Sequence, residues 1–455
     1  MARLETKKYG VNLDMVHGPL LSRLAVFSVP IILSGLLQLL FNAADIAVVG
    51  RYTGSDALAA VGASSPIASF IVSMFMGLSV GANVLCAQYR GAGQDKDLSE
   101  TVHTSIAISV GLGVAMTVVG VLVAGSLLNV VKTPENIFPL AKQYLCIYFC
   151  GIPSIMVYNF GAAVLRAIGD TRRPMYFLIV SGALNVLLNL LFVIVFGMGV
   201  AGVAIATVIS QTLAAVFVIL AMMRTSDVYR LELKRLRIHK DKLSRLMKIG
   251  IPAGIQGSAF SISNILIQSA INSFGENVMA ATTIANNIDS FCYVAIDALA
   301  QASISFTGQN YGAGNYKRID KIFAYTLGIG CVIALVLGVG AYLLAPQLLS
   351  IYTKDPAVIE VGIEIMFIVC VFEIINCTMN IPFNIVRGMN RSFFPMISTI
   401  ICVCVFRVVW VYTIFRYSHT VTTLFLSWPV SKGVASVTGI VYYFWLRKKI
   451  GKQHV

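Results

Sequence analysis

Long apolar stretches separated by short polar ones run along the chain from Leu21 to Leu446. They read as spans over 22–49, 57–85, 100–126, 136–165, 174–197 and 199–223, then 245–273, 278–308, 319–346, 357–386, 394–416 and 420–446. A bilayer crossing needs about 20 predominantly apolar residues as a helix, and these stretches supply that. The pattern predicts an all-α integral membrane protein with twelve transmembrane helices. Pro30, Pro153, Pro252, Pro382 and Pro429 fall inside spans, where a missing N–H kinks or locally breaks a helix. Pro174 and Pro395 fall where spans end.

The pattern also repeats. Leu21-Ser-Arg-Leu24 recurs as Leu243-Ser-Arg-Leu246, Pro30 as Pro252, Gly35 as Gly257 and Asn42 as Asn264, at an offset of 222. After a one-residue slip the offset becomes 221. Gln88-Tyr-Arg-Gly-Ala-Gly93 then recurs as Gln309-Asn-Tyr-Gly-Ala-Gly314, Arg166 as Arg387, and Pro174-Met175 as Pro395-Met396. Each copy holds an even number of spans, so both copies start on the same side of the membrane. The expected architecture is two six-helix lobes related by a pseudo-two-fold axis along the membrane normal, with a substrate path between them. The expected boundaries are 1–223 for the first lobe, 224–244 for a basic linker and 245–455 for the second lobe.

Composition supports a membrane protein: 57% of the 455 residues are hydrophobic, only 12% are charged, and mean hydropathy is +0.82. The net charge of +14 invites a nucleic-acid reading, but its placement argues against one. Of the 34 Lys and Arg, the side opposite the termini holds only Arg51, Lys132, Lys354 and Arg416, and Lys142, Arg407 and Lys432 lie in or at the ends of spans. All others, from Arg3, Lys7 and Lys8 to Lys452, gather on one side. The positive-inside rule then places both termini in the cytoplasm of a multi-pass cell-membrane protein. The linker, basic from Arg224 to Lys248, reads as a solvated segment resting on anionic lipid headgroups. The nine cysteines fall mostly in spans, show no zinc spacing, and read as packing residues. The first twenty residues lack an apolar core and a small-residue cleavage site, so no signal peptide is expected. The five histidines are scattered and carry no assigned role.

One acid interrupts the first span. Gln38, Asn42 and Asp45 stand at i, i+4 and i+7 and share a helix face. An ionisable side chain at membrane depth costs at least ~2.5 kcal/mol unless it pairs or faces water, so Asp45 is a functional-site candidate. Asn185 and Asn189 share a face of span five, and Thr207 lies in span six. Together these offer a carboxylate, two amide oxygens and a hydroxyl, an oxygen-only set suited to Na⁺, or to a proton on Asp45 alone. The other reading is that the asparagines bond helix to helix as polar glue.

The motifs Asp45-x4-Gly50, Ala57-Leu-Ala-Ala-Val-Gly62, Gln88-x2-Gly-Ala-Gly93, Leu165-Arg-x2-Gly-Asp-Thr171-x2-Pro174-Met175 and Asn185-x3-Asn189 come in an order and spacing that resemble the multidrug and toxic compound extrusion (MATE) transporters. The resemblance covers roughly Leu21 to Leu446. It implies two lobes that alternate a central cavity between the two sides, and efflux of organic, often cationic, compounds driven by Na⁺ or H⁺ entry. It carries the family's cation-coupling site onto Asp45, Asn185, Asn189 and Thr207, and its bending proline, a hinge, onto Pro30. Two positions depart from the family: Asn189 stands where some relatives have a second acid, and Phe260 stands where another branch has a Glu.

The second half has its own intramembrane charges: Asp289, Asp297, Glu373, Arg407 and Lys432. Pairing of Glu373 with Arg407 or Lys432 is one expectation; binding of a cationic substrate or second proton by Glu373 or Asp297 is the other. Gln256, Asn264, Gln268 and Asn272 form a stripe along span seven that either lines the cavity or bonds to other helices. With Gln38 and Asn42, the residues Gln256, Asn264, Asp297 and Glu373 are the substrate-cavity candidates. The Gln-x-x-Gly-Ala-Gly segments lack the Lys-Ser/Thr of a phosphate loop and read as tight turns.

The reading is a cation-coupled antiporter for small amphipathic organic compounds, expected to work as a monomer in the bilayer. It needs no catalytic residue, no nucleic acid, no cofactor beyond the coupling ion, and no metal beyond Na⁺ at Asp45. A flippase for a lipid-linked intermediate is the alternative. A membrane enzyme would need a reactive motif, and none is visible.

Overall fold

The computed structural model describes residues 13–453. The expectations that rest on Arg3, Lys7, Lys8 and His454 lie outside those residues. Among the described residues the chain is helical throughout, with no strand.

The first half contains α1 (Leu20–Tyr52), α2 (Ser55–Gly91), α3 (Asp95–Val130), α4 (Phe138–Cys150), α5 (Ile152–Ala167), α6 (Arg172–Leu190) and α7 (Gly199–Met223). A π-helical turn, Leu191–Val195, extends α6. Helices α4 and α5 form one span bent by 45° at Gly151, with Pro153 in the first turn after the bend. The second half contains α8 (Lys240–Asn272), α9 (Glu276–Gly312), α10 (Tyr316–Leu343), the short α11 (Ala345–Tyr352), α12 (Pro356–Met366), α13 (Glu373–Gly388), α14 (Phe393–Thr399), α15 (Phe406–Trp410) and α16 (Val421–Gln453). Three more π turns, Phe367–Val371, Ile400–Val405 and Val411–Phe415, join α12 to α13, α14 to α15, and extend α15.

Joined across bends and π turns, the described helices make the twelve expected spans. Eight are apolar enough to cross a membrane on length and hydropathy alone, and the bent α4–α5 pair makes a ninth. Of the other three, α8 carries the polar stripe and α9 carries Asp289 and Asp297, which lower their mean hydropathy, while α12–α13 is divided at Phe372 into two segments each too short to cross alone.

The described residues fall into two compact units: one up to Gly250 together with Gly308–Asn315, the other Ile251–Thr307 with Tyr316 onward. In the first unit α5 packs against α2, α3 and α7, while α6 lies between α1 and α7. Small residues set the approach distances. Gly113 abuts Pro153, and Gly161 abuts Val218. A Cβ on Gly182 of α6 would stand 1.8 Å from the ring of Phe41 of α1, so any larger residue there would have to displace that ring. In the second unit α13 packs against α10 and α16, with Gly338 pressed on the Cys370 carbonyl.

The linker departs from the expected solvated segment. Tyr229 and Leu231 are buried, and Arg90 forms a two-pronged pair with Asp227 at 3.1 and 3.2 Å. His103 donates from Nδ1 to the Ser99 carbonyl, which leaves Nε2 to accept from the Glu232 amide at 3.1 Å. Lys242, read as a headgroup-facing cation, is itself buried and held by Asp97 and Asp241. These contacts dock the linker on the ends of α2 and α3. Its middle, Leu233 to Ile238, stays exposed, as do Arg224, Arg230 and Lys240. The docking was hidden because Asp97 and Glu100 lie more than 140 residues from Lys242 in sequence.

Candidate functional site: an acid and two amides between α1, α6 and α7

The α1–α6 crossing at Phe41 and Gly182 brings the next turns of both helices together. Asn189 Nδ2 donates to Asp45 Oδ1, and also to Asn185 Oδ1 at 3.3 Å. Asn185 and Asn189 are buried and Asp45 is half-buried. The i, i+4 spacing on α6 places both amides on the face turned to α1.

Asn189 Oδ1 is buried and has no hydrogen-bond partner. An unmet buried acceptor costs roughly 1–3 kcal/mol, so its presence beside a carboxylate calls for an explanation. Thr207, half-buried on α7, donates its hydroxyl to the Val203 carbonyl at 3.0 Å and bonds to none of the other three. A packed group closes the site on one side: Val48, Val49, Ala57, Val193, Val200 and Val203, with Tyr144 against them. The π turn Leu191–Val195 begins two residues after Asn189, and π turns recur at functional sites.

The remaining candidates stand elsewhere. Gln38 and Asn42 are exposed on α1, on the same stripe as Asp45. Pro30 is buried within α1, which runs through it without a break, and the Ser34 hydroxyl donates to its carbonyl at 2.7 Å.

In the second unit the polar candidates sort into separate groups. Gln256 is buried with its side-chain oxygen taken by Arg387, which also donates to Asn384 at 2.7 Å. Asp297 accepts from Gln301 at 2.6 Å and lies within electrostatic range of Arg387. Gln268 donates to Asn272 at 3.0 Å. Asn264 accepts from Arg407 at 3.3 Å. Of the two partners expected for Glu373, Lys432 is present at 3.6 Å and Arg407 is not. Asn376 donates to Glu373 at 2.5 Å, and Asp289 lies within electrostatic range of both Glu373 and Lys432. Phe260 packs in an apolar group with Met379, Phe383 and Val403.

The two Gln-x-x-Gly-Ala-Gly segments are tight turns, as expected. Gly93 and Gly314 take φ of 67° and 69°, and the amides of Ala92 and Ala313 close back on Gln88 and Gln309.

A duplicated set of six membrane spans, with an oxygen-rich polar site sunk in the first, defines a multi-pass membrane transporter fold. The MatE family profile matches the chain twice, over 30–191 and 252–413, at the spacing of the internal repeat. The chain belongs to the MatE family of membrane transporters. It is 29% identical to the probable multidrug resistance protein YpnP of Bacillus subtilis, over 95% of this chain and 94% of that one. It is 24% identical to the multidrug export protein MepA of Staphylococcus aureus, over 79% of each. A solved structure of a MATE protein in a straight conformation superposes with a TM-score of 0.91 at 24% identity, covering 98% of this chain and all of that one. A bent conformation superposes at 0.90, also at 24% identity, covering 98% of this chain and 99% of that one. These two likenesses establish the fold.

Proposed function

We propose that the protein exports amphipathic, often cationic, organic compounds from the cell in exchange for Na⁺ or H⁺, with Asp45 as the residue that takes the coupling ion. The observation that carries this reading is the Asp45–Asn189–Asn185 chain of hydrogen bonds next to a buried, unmet amide oxygen. The names of YpnP and MepA support the substrate class. Both termini face the cytoplasm in this reading, which rests on the distribution of basic residues.

The site can register its load through one amide. In the present arrangement Asn189 donates to Asp45, so Asp45 Oδ1 is an acceptor. A proton placed on that oxygen makes it a donor, and Asn189 must then turn its amide to offer Oδ1. The unmet acceptor is thereby satisfied. For Na⁺, the residues fit as oxygen ligands: the Asp45 carboxylate, Asn185 Oδ1, Asn189 Oδ1 and Thr207 Oγ. Bound Na⁺ would supply a compact positive charge that compensates the carboxylate. In either case the loaded and empty states differ in which way the Asn189 amide faces, and that couples the occupancy of α1 to the position of α6. An ion that stabilises one of two arrangements, and a substrate that stabilises the other, exchange by linkage.

Transport in proteoliposomes tests this. The purified protein is placed in vesicles loaded with a cationic fluorescent dye, with a Na⁺ or a pH gradient imposed separately. Dye movement driven by one of these gradients is expected. Dye movement indifferent to both would overturn ion coupling.

A further inference from the structure

A cavity of about 440 Å³ opens in the second unit between α8 and the stretch from α15 to the start of α16. It occupies the place in the second repeat that the Asp45 site occupies in the first. The offset that carries Asn42 to Asn264 carries Asp45 to Ile267, which lines this cavity. The offset that carries Arg166 to Arg387 sets the stretch with Asn185 and Asn189 against the stretch with Arg407. A π turn follows in both copies, Leu191–Val195 in one and Val411–Phe415 in the other. The polarity is reversed: the acid has become an isoleucine, and an arginine has entered from the facing helix.

Arg407 is only 2% exposed. Its partners are neutral: Ser431 Oγ at 3.1 Å, Asn264 Oδ1 at 3.3 Å, and the Trp428 ring, whose centroid lies 5.6 Å from the guanidinium. No carboxylate pairs with it among the described residues. The contrast with Arg387 and Lys432 is direct, since those cations have Asp297 and Glu373 within reach. A buried guanidinium without a counter-charge is costly at membrane depth. Here it lines a cavity whose walls are Leu266, Ile267, Val411 and Phe415, with the exposed Arg416 also on its lining. Ser263, buried on the same lining beside the Cys404 thiol, adds a hydroxyl.

We propose that this cavity binds an amphipathic organic anion, with its carboxylate, sulfonate or phosphonate group on Arg407 and its apolar body along Ile267, Val411 and Phe415. A planar guanidinium is suited to an oxyanion, which it can meet with two parallel N–H donors. The ligand supplies the missing counter-charge, and the aliphatic walls supply apolar contact. The site is separate from Asp45 and takes the opposite charge, so it stands whether or not the exported compounds are cations.

The test uses the full chain in nanodiscs of phosphatidylcholine and, as probe, 2-bromododecanoate, whose bromine sits on the carbon next to the carboxylate. Bromine quenches tryptophan, and Trp428 stacks on Arg407. Saturable quenching that unlabelled dodecanoate reverses and dodecylammonium does not is expected. Arg407→Gln should weaken the probe at least about tenfold, the scale of a lost hydrogen bond to a charged group. Ser269→Phe places a ring in the cavity from an exposed position and leaves Arg407 in place. It should weaken the probe similarly, and it carries the test if Arg407→Gln does not elute as a single species. Unchanged binding in the folded variants, or equal displacement by dodecylammonium, would overturn the proposal. Displacement by phosphatidylglycerol as effective as by dodecanoate would overturn it in favour of a lipid-headgroup site.

Discussion

Gly91 lies flat against the backbone of Gln309: a Cβ at residue 91 would stand 1.8 Å from the Gln309 carbonyl oxygen. The contact is reciprocal, because a Cβ on Gly312 would stand 1.9 Å from the carbonyl oxygen of Gln88. The two copies of the Gln-x-x-Gly-Ala-Gly motif thus cross each other through paired glycines, and neither backbone can yield as a flexible side chain would. Gly91→Ala and Gly312→Ala should each destabilise the protein by about 2 kcal/mol or more, the upper part of the range for overpacking. Thermal unfolding followed by tryptophan fluorescence checks this. Gly111→Ala, at a position with open space around it, should leave the midpoint within a degree or two of wild type.

Lys432 serves two acids. It lies 3.6 Å from Glu373 and within electrostatic range of Asp289, whose Oδ1 is buried without a hydrogen-bond partner. Removing the ammonium leaves both carboxyls without it, while removing Glu373 leaves Lys432 with Asp289. Lys432→Met should therefore cost about 3 kcal/mol, as for breaking a buried pair, and Glu373→Gln distinctly less. The reverse order in thermal unfolding would contradict this account of the group.

The π turns mark what the sequence could not reveal. Apolar length, the offset of 222 and the i, i+4 spacing of Asn185 and Asn189 made the twelve spans, the duplication and the candidate site legible. Each of these is read directly along the chain, from composition, repetition or helical spacing, without knowing which helices touch. The meeting of Asp45 with Asn189 was legible only as a shared oxygen chemistry. The contact itself depends on Gly182 admitting Phe41, which is a tertiary fact. Lys242 looked like one more basic linker residue because its acids come from α3. Arg407 looked like a partner for Glu373 because both are intramembrane charges. Its position in a five-residue helix between two π turns aims it instead at Ser431 and Asn264. A π insertion leaves no signature in hydrophobic spacing.

Pro30 leaves the Val26 carbonyl without its usual donor from four residues on, within an otherwise continuous α1. Pro30→Ala restores that N–H and stiffens the helix that carries Asp45. The variant should fold at least as well as wild type and transport more slowly. Dye efflux at matched reconstitution checks this, and wild-type rates would remove Pro30 from the mechanism.

The segment before α1 is pinned by charge. Asp14 accepts from the amides of Val16 and His17 at 2.9 and 3.1 Å, and Arg23 lies 3.4 Å away. Partial burial pushes the Asp14 carboxyl up, but the His17 and Val16 amides and Arg23 outweigh it and hold the group below its ordinary value. A depressed carboxyl stabilises the folded segment above the unfolded value of about 3.9, and that contribution is lost as pH falls through the folded value. The Met15 carbonyl accepts from Asn310 at 3.0 Å, so loss of the segment is read at that end of α9 too. Hydrogen exchange over 13–18 should show constant protection from about pH 8 to pH 5, with loosening below about pH 4. Asp14→Ala should lack the protection throughout.

Gradient-driven dye efflux by Asp45→Asn, reconstituted beside wild type at equal protein per vesicle, tests the central claim most directly. The substitution keeps the side-chain shape and removes the only carboxylate of the α1–α6–α7 site. Efflux driven by the coupling gradient should fall to the level of protein-free vesicles while the variant stays folded and inserted. Gradient-driven efflux at the wild-type rate would contradict the assignment of Asp45 as the coupling residue.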